Sequence, residues 1–271
     1  MIDNKLKSAI YGLAVADAVG VPYEFKMRGS FNATDMVGHG SHNQPKGTWS
    51  DDTSMTLATC ASIKECGCID VSDMLARFRA WAHNGKYAID GRVFDIGCTT
   101  SEALYKGTGK NDEHSNGNGS LMRIIPLAFT DASNEEIEEV SAITHAHDIS
   151  KAACVCYVHI ARALIQGEKL TDILTRVESP FVRIRYINTL CESEIKSSGY
   201  VVSTLEAALW AVSTTDNYRD AVLKAVNLGN DTDTVAAVAG GLAGIIYGFN
   251  ELPAEWLNSL RGKDIIESCL F

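Results

Sequence analysis

Two short acidic runs, Ser50-Asp51-Asp52-Thr53 and Asp231-Thr232-Asp233-Thr234, set carboxylates beside hydroxyls at the start of apolar stretches with helical spacing. Helix capping needs one side-chain oxygen, and Ser, Thr or Asn serves as well as Asp. Capping therefore explains one residue in each run, but not two acids with an adjoining hydroxyl in both. Hard oxygen donors of this kind suit Mg²⁺ or Mn²⁺. If the two runs converge, their four carboxylates repel one another unless divalent cations neutralise them.

Three further segments carry groups suited to chemistry. In Asn116-Gly117-Asn118-Gly119-Ser120-Leu121-Met122-Arg123, a glycine-rich turn before a helical pattern can offer backbone N–H groups to an anion, with Arg123 adding charge. A flexible loop capped by Ser120 is the simpler alternative. Thr144-His145-Ala146-His147-Asp148 has two histidines but no third nitrogen or sulfur ligand beside them, so polar contacts are expected there, with Asp148 capping the next helix. Asp17 interrupts an apolar helical face, and Glu24 follows a Gly/Pro turn among aromatics. An acid so placed either has a raised pKa and moves protons, or is a hydrogen-bonded buried acid.

The elements that must position these groups read as helices. Helical patterns fall at 5–18, 52–65, 71–84, 94–106, 120–129, 134–144, 149–166, 180–196, 203–213, 217–227 and 233–248. The one strand signal, Tyr200-Val201-Val202, is short. On the last long helix Gly240, Gly244 and Gly248 recur every fourth residue, which predicts close approach of another helix backbone, since glycine inside a helix costs about 1 kcal/mol relative to Ala. The loop Gly107 to Gly119 is long enough to be functional. No linker or repeat divides the chain, so one all-α, compact multi-helix domain over 1–271 is expected.

Bulk properties narrow the class. The chain has 271 residues, 46% of them hydrophobic, with a formal net charge of −10 and no basic stripe, which argues against a nucleic-acid surface. Asn134-Glu135-Glu136 and Glu138-Glu139 read as a solvated helix start. No apolar run reaches the length of a membrane span, and the first residues lack the form of a signal peptide. The 8 cysteines form no C-x-x-C motif, and Cys60, Cys154 and Cys156 lie within apolar helical stretches. A reducing, cytoplasmic setting without structural disulfides is the expectation.

Taken in order, Gly12 to Glu24, Gly47 to Thr53, Asn116 to Arg123, Thr144 to His147 and Gly229 to Thr234 resemble the ADP-ribosylglycohydrolase family, which includes dinitrogenase reductase-activating glycohydrolase and the ADP-ribosyl-arginine hydrolases. Ser198 to Ala208 looks like the bacterial members, and the likeness spans about residues 8 to 250. The resemblance implies an all-α fold with two Mg²⁺ or Mn²⁺ ions held by Ser50, Asp51, Asp52, Asp231, Asp233 and Thr234. It implies that ADP-ribose binds with its distal ribose on the metals and its diphosphate on Gly117, Asn118, Gly119 and Ser120. His145 is expected beside the ligand and Tyr200 as an adenine-side contact. Glu24 matches a family acid near the metals. Glu24, Asp51 or Asp52 would orient a water or handle protons, and the sequence does not divide those roles. The expected activity is metal-dependent hydrolysis of the N-glycosidic bond of ADP-ribosyl-arginine on a modified protein; the sequence does not fix the oligomeric state, with a monomer favoured. The alternatives are hydrolysis of ADP-ribosyl-serine, O-acetyl-ADP-ribose or a related conjugate, or a non-catalytic ADP-ribose-binding or structural role, which retention of the whole acid set disfavours.

Overall fold

The computed structural model describes residues 2–271, and the side chains from Asn4 onward. Twelve α-helices follow in chain order: α1 (Ile2–Gly20), α2 (Asp51–Cys66), α3 (Val71–Asn84), α4 (Cys98–Lys106), α5 (Asn134–Ala142), α6 (Asp148–Ile165), α7 (Leu170–Arg176), α8 (Val201–Ser213), α9 (Tyr218–Asn227), α10 (Thr232–Tyr247), α11 (Ala254–Ser259) and α12 (Lys263–Cys269). Short 3₁₀ segments join them. Among the described residues β pairing is confined to isolated bridges. The fold is all-α, as the sequence predicts.

The organising contact is α1 against α10, which run antiparallel. A Cβ on Gly12 would sit 2.4 Å from the Gly240 carbonyl oxygen, one on Gly244 2.2 Å from the Ser8 carbonyl oxygen, and one on Gly20 2.4 Å from the Asp233 Cα. Glycine is therefore required at these positions by backbone proximity. The predicted glycine stripe is real for Gly240 and Gly244. Gly248 does not share it: it ends α10 at φ +87 with open space around it. α10 is apolar all round and buried nearly throughout, as a central helix must be. Where two helix backbones pack this closely, outside hydroxyls satisfy spare carbonyl lone pairs: Tyr157 Oη donates to the Val238 oxygen at 2.8 Å and Tyr218 Oη to that of Gly12.

Capping follows local chemistry. Ser50, Asp70, Ser133 and Asn217 each accept a backbone N–H at the start of α2, α3, α5 and α9, and Ser133 forms a capping box with Glu136. α6 is capped by His147 rather than Asp148, because the helix starts one residue earlier than its apolar pattern.

Several expectations change. Residues 180–196 are not an α-helix but 3₁₀ turns over Val182–Thr189 and Glu192–Glu194, kinked at Tyr186. The buried pair Ile184 and Ile187 is spaced for three residues per turn, and the β-branched residues around it favour α-helix weakly. The 120–129 pattern is a turn followed by a 3₁₀ segment, Ile125–Phe129. The 94–106 helix starts only at Cys98. The Tyr200-Val201-Val202 strand is one bridge between Tyr200 and Gly117, after which Val201 opens α8. The short helices α7, α11 and α12 are too brief to show a period.

The α1–α10 contact yields a direct test. Gly240→Val should cost roughly 1–3 kcal/mol or more in urea unfolding, because its Cβ would meet the Gly12 oxygen and the Ala16 Cβ, both at 2.4 Å. Gly97→Ala, with nothing near its Cβ, should stay within about 0.5 kcal/mol of the parent.

Candidate active site

Antiparallel packing brings the C-terminal end of α1 to the N-terminal end of α10, and the start of α2 joins them. Asp17 makes that junction. Buried on α1, its carboxylate accepts the Ser50 N–H at 3.0 Å, the Thr53 N–H at 3.1 Å and the Thr53 hydroxyl at 2.6 Å. It is thus a cap supplied from another helix, and the hydrogen-bonded reading of Asp17 holds. Burial still lifts its pKa to about 6.

The two acid runs meet here. Asp52 Oδ2 accepts from Ser50 Oγ at 3.0 Å and from Thr234 Oγ1 at 3.2 Å, so the start of α2 touches the start of α10. Asp52 Oδ1 and Asp233 Oδ2 are buried with no hydrogen-bond partner. Asp231 stands at the N-cap position of α10, yet its side chain caps nothing. Its Oδ2 instead accepts from Asn118 Nδ2 at 2.8 Å. Capping therefore does not account for Asp231 or for the orphaned oxygens.

Glu24 and Asp95 complete the cluster. Ligand atoms of Glu24, His42, Asp95 and Asp233 all lie within 4.8 Å of one another, and His42 Nε2 is hydrogen-bonded to Glu24 Oε2. Phe25, Asp95 and Asn230 each carry positive φ (64, 63 and 62). Phe25 and Asn230 are tied by backbone bonds between the segment after Glu24 and the segment before Asp231. Such conformations cost energy and persist where the surroundings enforce them.

Electrostatics follow from seven carboxyls with no lysine or arginine paired to them among the described residues. Burial pushes Glu24 to about 8 and Asp95 to about 7. Burial, joined by neighbouring carboxylates, lifts Asp51, Asp52 and Asp233 well above the usual range. Asp231 is raised by burial and moderated by its bond to Asn118. The starts of α2 and α10 turn their positive dipole ends to the cluster but supply only partial charges. A divalent cation is the group that fits: the donors are hard oxygens, two are unpartnered, and the charge is uncompensated.

A cavity of about 380 Å³ opens on this cluster. Glu24, Asp51, Asp95, Asp231 and Thr234 form the acidic wall, and Gly117, Asn118, Gly119 and His145 the opposite one. Phe25, 71% exposed, stands at the rim.

Compared with known proteins, the chain matches the ADP-ribosylglycohydrolase family model over residues 2–270. The chain belongs to the ADP-ribosylglycohydrolase family. It is 36% identical to a protein named ADP-ribosylarginine hydrolase Tri1 from Serratia proteamaculans, across 98% of this chain and 77% of that one. It is 30% identical to the ADP-ribosyl-[dinitrogen reductase] glycohydrolase of Rhodospirillum rubrum, across 97% and 92%. A solved structure described as an ADP-ribosylglycohydrolase-related protein complex superposes with a TM-score of 0.83 at 30% identity, covering 99% of this chain and 96% of that one.

Within this family fold, most residues singled out in the sequence converge, but at different depths. Asp51, Asp231, Thr234 and Glu24 reach the cavity, whereas Ser50, Asp52 and Asp233 lie buried behind it. Ser120 turns its hydroxyl into the core, where it accepts from Ser141 Oγ and Cys154 Sγ, so only its backbone faces the turn. Asn118 spends its amide on Asp231 and Thr204. Tyr200 pairs its backbone with Gly117, but its ring is 43% exposed and outside the cavity lining. Arg123 does not face an anion site. It is buried behind the turn, with Nη1 donating to the Gly119 oxygen at 2.7 Å.

Sequence reading missed Asp95 and His42. Asp95 lay inside an apparent helical pattern, and only its left-handed backbone aims it inward. His42 stands in a short 3₁₀ turn, Gly40–His42, with no periodic signal.

The raised pKa values set a pH dependence. A carboxyl whose folded pKa exceeds its unfolded value binds protons more tightly in the folded state, so stability falls as pH rises. The cation-free protein should lose melting temperature steadily from about pH 4, the ordinary carboxyl range, through about pH 8, where Glu24 titrates. Added Mg²⁺ or Mn²⁺ should raise it more at the alkaline end. Asp52→Asn should melt higher than the parent without cation and respond less to Mg²⁺. Scanning calorimetry checks both, and a cation-free melting temperature that climbs with pH over this range would contradict the assignment.

Proposed function

We propose that this chain is a metal-dependent hydrolase that releases ADP-ribose from arginine side chains of modified proteins. The observation that carries the reading is the cluster of converging carboxyls: Glu24, Asp51, Asp95 and Asp231 line a glycine-walled cavity, and Asp52 and Asp233, each with an orphaned oxygen, lie behind it. The relatives' names supply the linkage: the Serratia protein is named an ADP-ribosylarginine hydrolase, and a second of the same name, from Pseudomonas putida, is 37% identical.

The metal set is Ser50, Asp51, Asp52, Asp231, Asp233 and Thr234, joined by Asp95, and a pair of Mg²⁺ or Mn²⁺ ions suits so many oxygens. Held there, such ions would supply Lewis acidity toward sugar hydroxyls and water. The chain's own residues do the rest. Of Glu24, Asp51 and Asp52, the first two reach the cavity, so proton handling falls to them rather than to Asp52, whose Oδ2 is occupied by Ser50 and Thr234. Glu24, held by His42, is placed to take a proton from attacking water and return one to the departing guanidine nitrogen. Cleavage of a glycosidic bond builds positive charge on the ribose, which the acidic wall stabilises.

The opposite wall suits the diphosphate. Among the described residues the N–H groups of Gly117, Gly119 and Ser120 donate to no carbonyl or side chain, leaving donors for phosphate oxygens. The exposed Phe25 ring at the cavity rim offers an apolar face for the base.

Asp52→Ala and Asp231→Ala should each abolish ADP-ribose release while leaving the circular dichroism helical. EDTA should silence the parent, and Mg²⁺ or Mn²⁺ should restore it. Release from arginine-linked substrate should exceed that from serine-linked substrate by about tenfold or more, equal to about 1.4 kcal/mol in barrier. The reverse preference points to a serine hydrolase on the same fold, and full activity in EDTA removes the metal reading.

The turn has its own test. A Cβ on Gly119 would meet Thr100 Oγ1 at 2.8 Å and His145 Cε1 at 2.9 Å, so Gly119→Val must displace that wall. Calorimetry at fixed Mg²⁺ should show ADP-ribose binding sharply weakened and Mg²⁺ binding intact. Unchanged ADP-ribose affinity in the folded variant would show the turn to be only a connector.

A further inference from the structure

We infer that Arg123 and Thr144 are positioning residues that lock His145 in the neutral form carrying its proton on Nε2, making it a fixed hydrogen-bond donor to an anionic ligand oxygen in the cavity. Only the naming of that oxygen as diphosphate rests on the ADP-ribose reading.

The direction of each bond follows from what each group can do. Arg123 Nη2 lies 3.0 Å from Thr144 Oγ1, and a guanidinium has hydrogens to give and no lone pair to receive. The Thr144 oxygen must therefore accept. Its own hydrogen then needs an acceptor, because Thr144 is completely buried. Among the described residues the available partner is His145 Nδ1, at 2.8 Å. With Nδ1 accepting, the ring proton of a neutral imidazole sits on Nε2. The other tautomer would leave the Thr144 hydroxyl hydrogen buried without an acceptor.

Nε2 is the nitrogen on the cavity side. It lies 3.3 Å from the place a Cβ on Gly117 would occupy, and His145 is part of the cavity wall. Among the described residues no group accepts the Nε2 hydrogen, so it is free for a ligand.

The surroundings keep the ring neutral. Burial, with the Arg123 charge beside it, lowers His145 to about 3. Arg123 itself, though lowered by burial to about 10, stays charged. Lys110, which bridges the His145 backbone, turns its ammonium to Glu102, and His147 uses its Nδ1 to cap α6. Cys154, near Arg123, is raised by burial and stays a thiol. A neutral donor fixed in this way binds an anion without itself exchanging a proton. That assigns His145 to binding rather than to acid–base chemistry. Arg123 adds a second restraint by holding the Gly119 carbonyl, so one guanidinium fixes both the turn and the imidazole facing it.

Long-range ¹H–¹⁵N correlation spectra of the histidine rings in the ligand-free, full-length protein decide the point. The His145 signal should show a protonated Nε2 and an unprotonated Nδ1, unchanged between about pH 5 and 8, the range in which an ordinary histidine titrates. Thr144→Val should release a mixture of tautomers and weaken ADP-ribose binding about tenfold at fixed Mg²⁺, the scale of one lost hydrogen bond. Thr144→Ser should restore both. A parent His145 that titrates in this range or carries its proton on Nδ1 overturns the inference. So does a Thr144→Val protein with the parent tautomer, or one that Thr144→Ser does not rescue. A parent that fails to bind ADP-ribose contradicts the functional reading instead, and the spectra still decide the tautomer.

Discussion

Like charges buried together are the constraint on which the rest of this structure depends. Asp51, Asp52, Asp231 and Asp233 come from two runs far apart in sequence, and Glu24 and Asp95 from two irregular segments, yet all six cluster together, buried or half-buried. In a low-dielectric interior such a group is tolerated only if it is protonated or neutralised. Among the described residues no lysine or arginine does this, and oxygens on Asp52 and Asp233 are left without partners. Such a cluster, suited to hold a metal ion, lowers stability locally, and the apolar packing elsewhere must support it.

That support comes from the α1–α10 pair. Glycines at 12, 240 and 244 let the two backbones touch, which fixes Gly20 against Asp233 and carries Asp17 to the start of α2. Asp17 is the link between core and site: its carboxylate orients the α2 N-terminus, which presents Asp51 to the cavity and Asp52 to Thr234. A side chain that resembles a catalytic acid in sequence thus works as scaffolding. The same holds on the other wall, where Arg123 and Asn118 hold Gly119 and Asp231 in place.

What the sequence revealed, and what it hid, follows from period and depth. Long helices such as α1, α6 and α10 were legible because burial of one face, or of all faces, imposes a repeat over many residues. The two acid runs were legible because two carboxylates beside a hydroxyl exceed what a helix cap needs. Asp95 and His42 were not, because their positions arise from a left-handed residue and a short 3₁₀ turn, neither of which has a repeat. The segment 180–196 misled because Ile184 and Ile187 satisfy a helical spacing that three residues per turn satisfies equally. Depth was invisible as well: no sequence pattern shows that the Ser120 hydroxyl turns into the core or that the Tyr200 ring is half-exposed.

The central claim is that these carboxyls hold protons until a divalent cation replaces them. It is tested most directly by adding Mg²⁺ or Mn²⁺ to the cation-free protein in weakly buffered solution near neutral pH and following proton release. With Glu24 near 8 and Asp95 near 7, the account predicts saturable acidification that tracks cation binding and is lost in Asp233→Asn. Cation binding without proton release, or no binding at all, would contradict it.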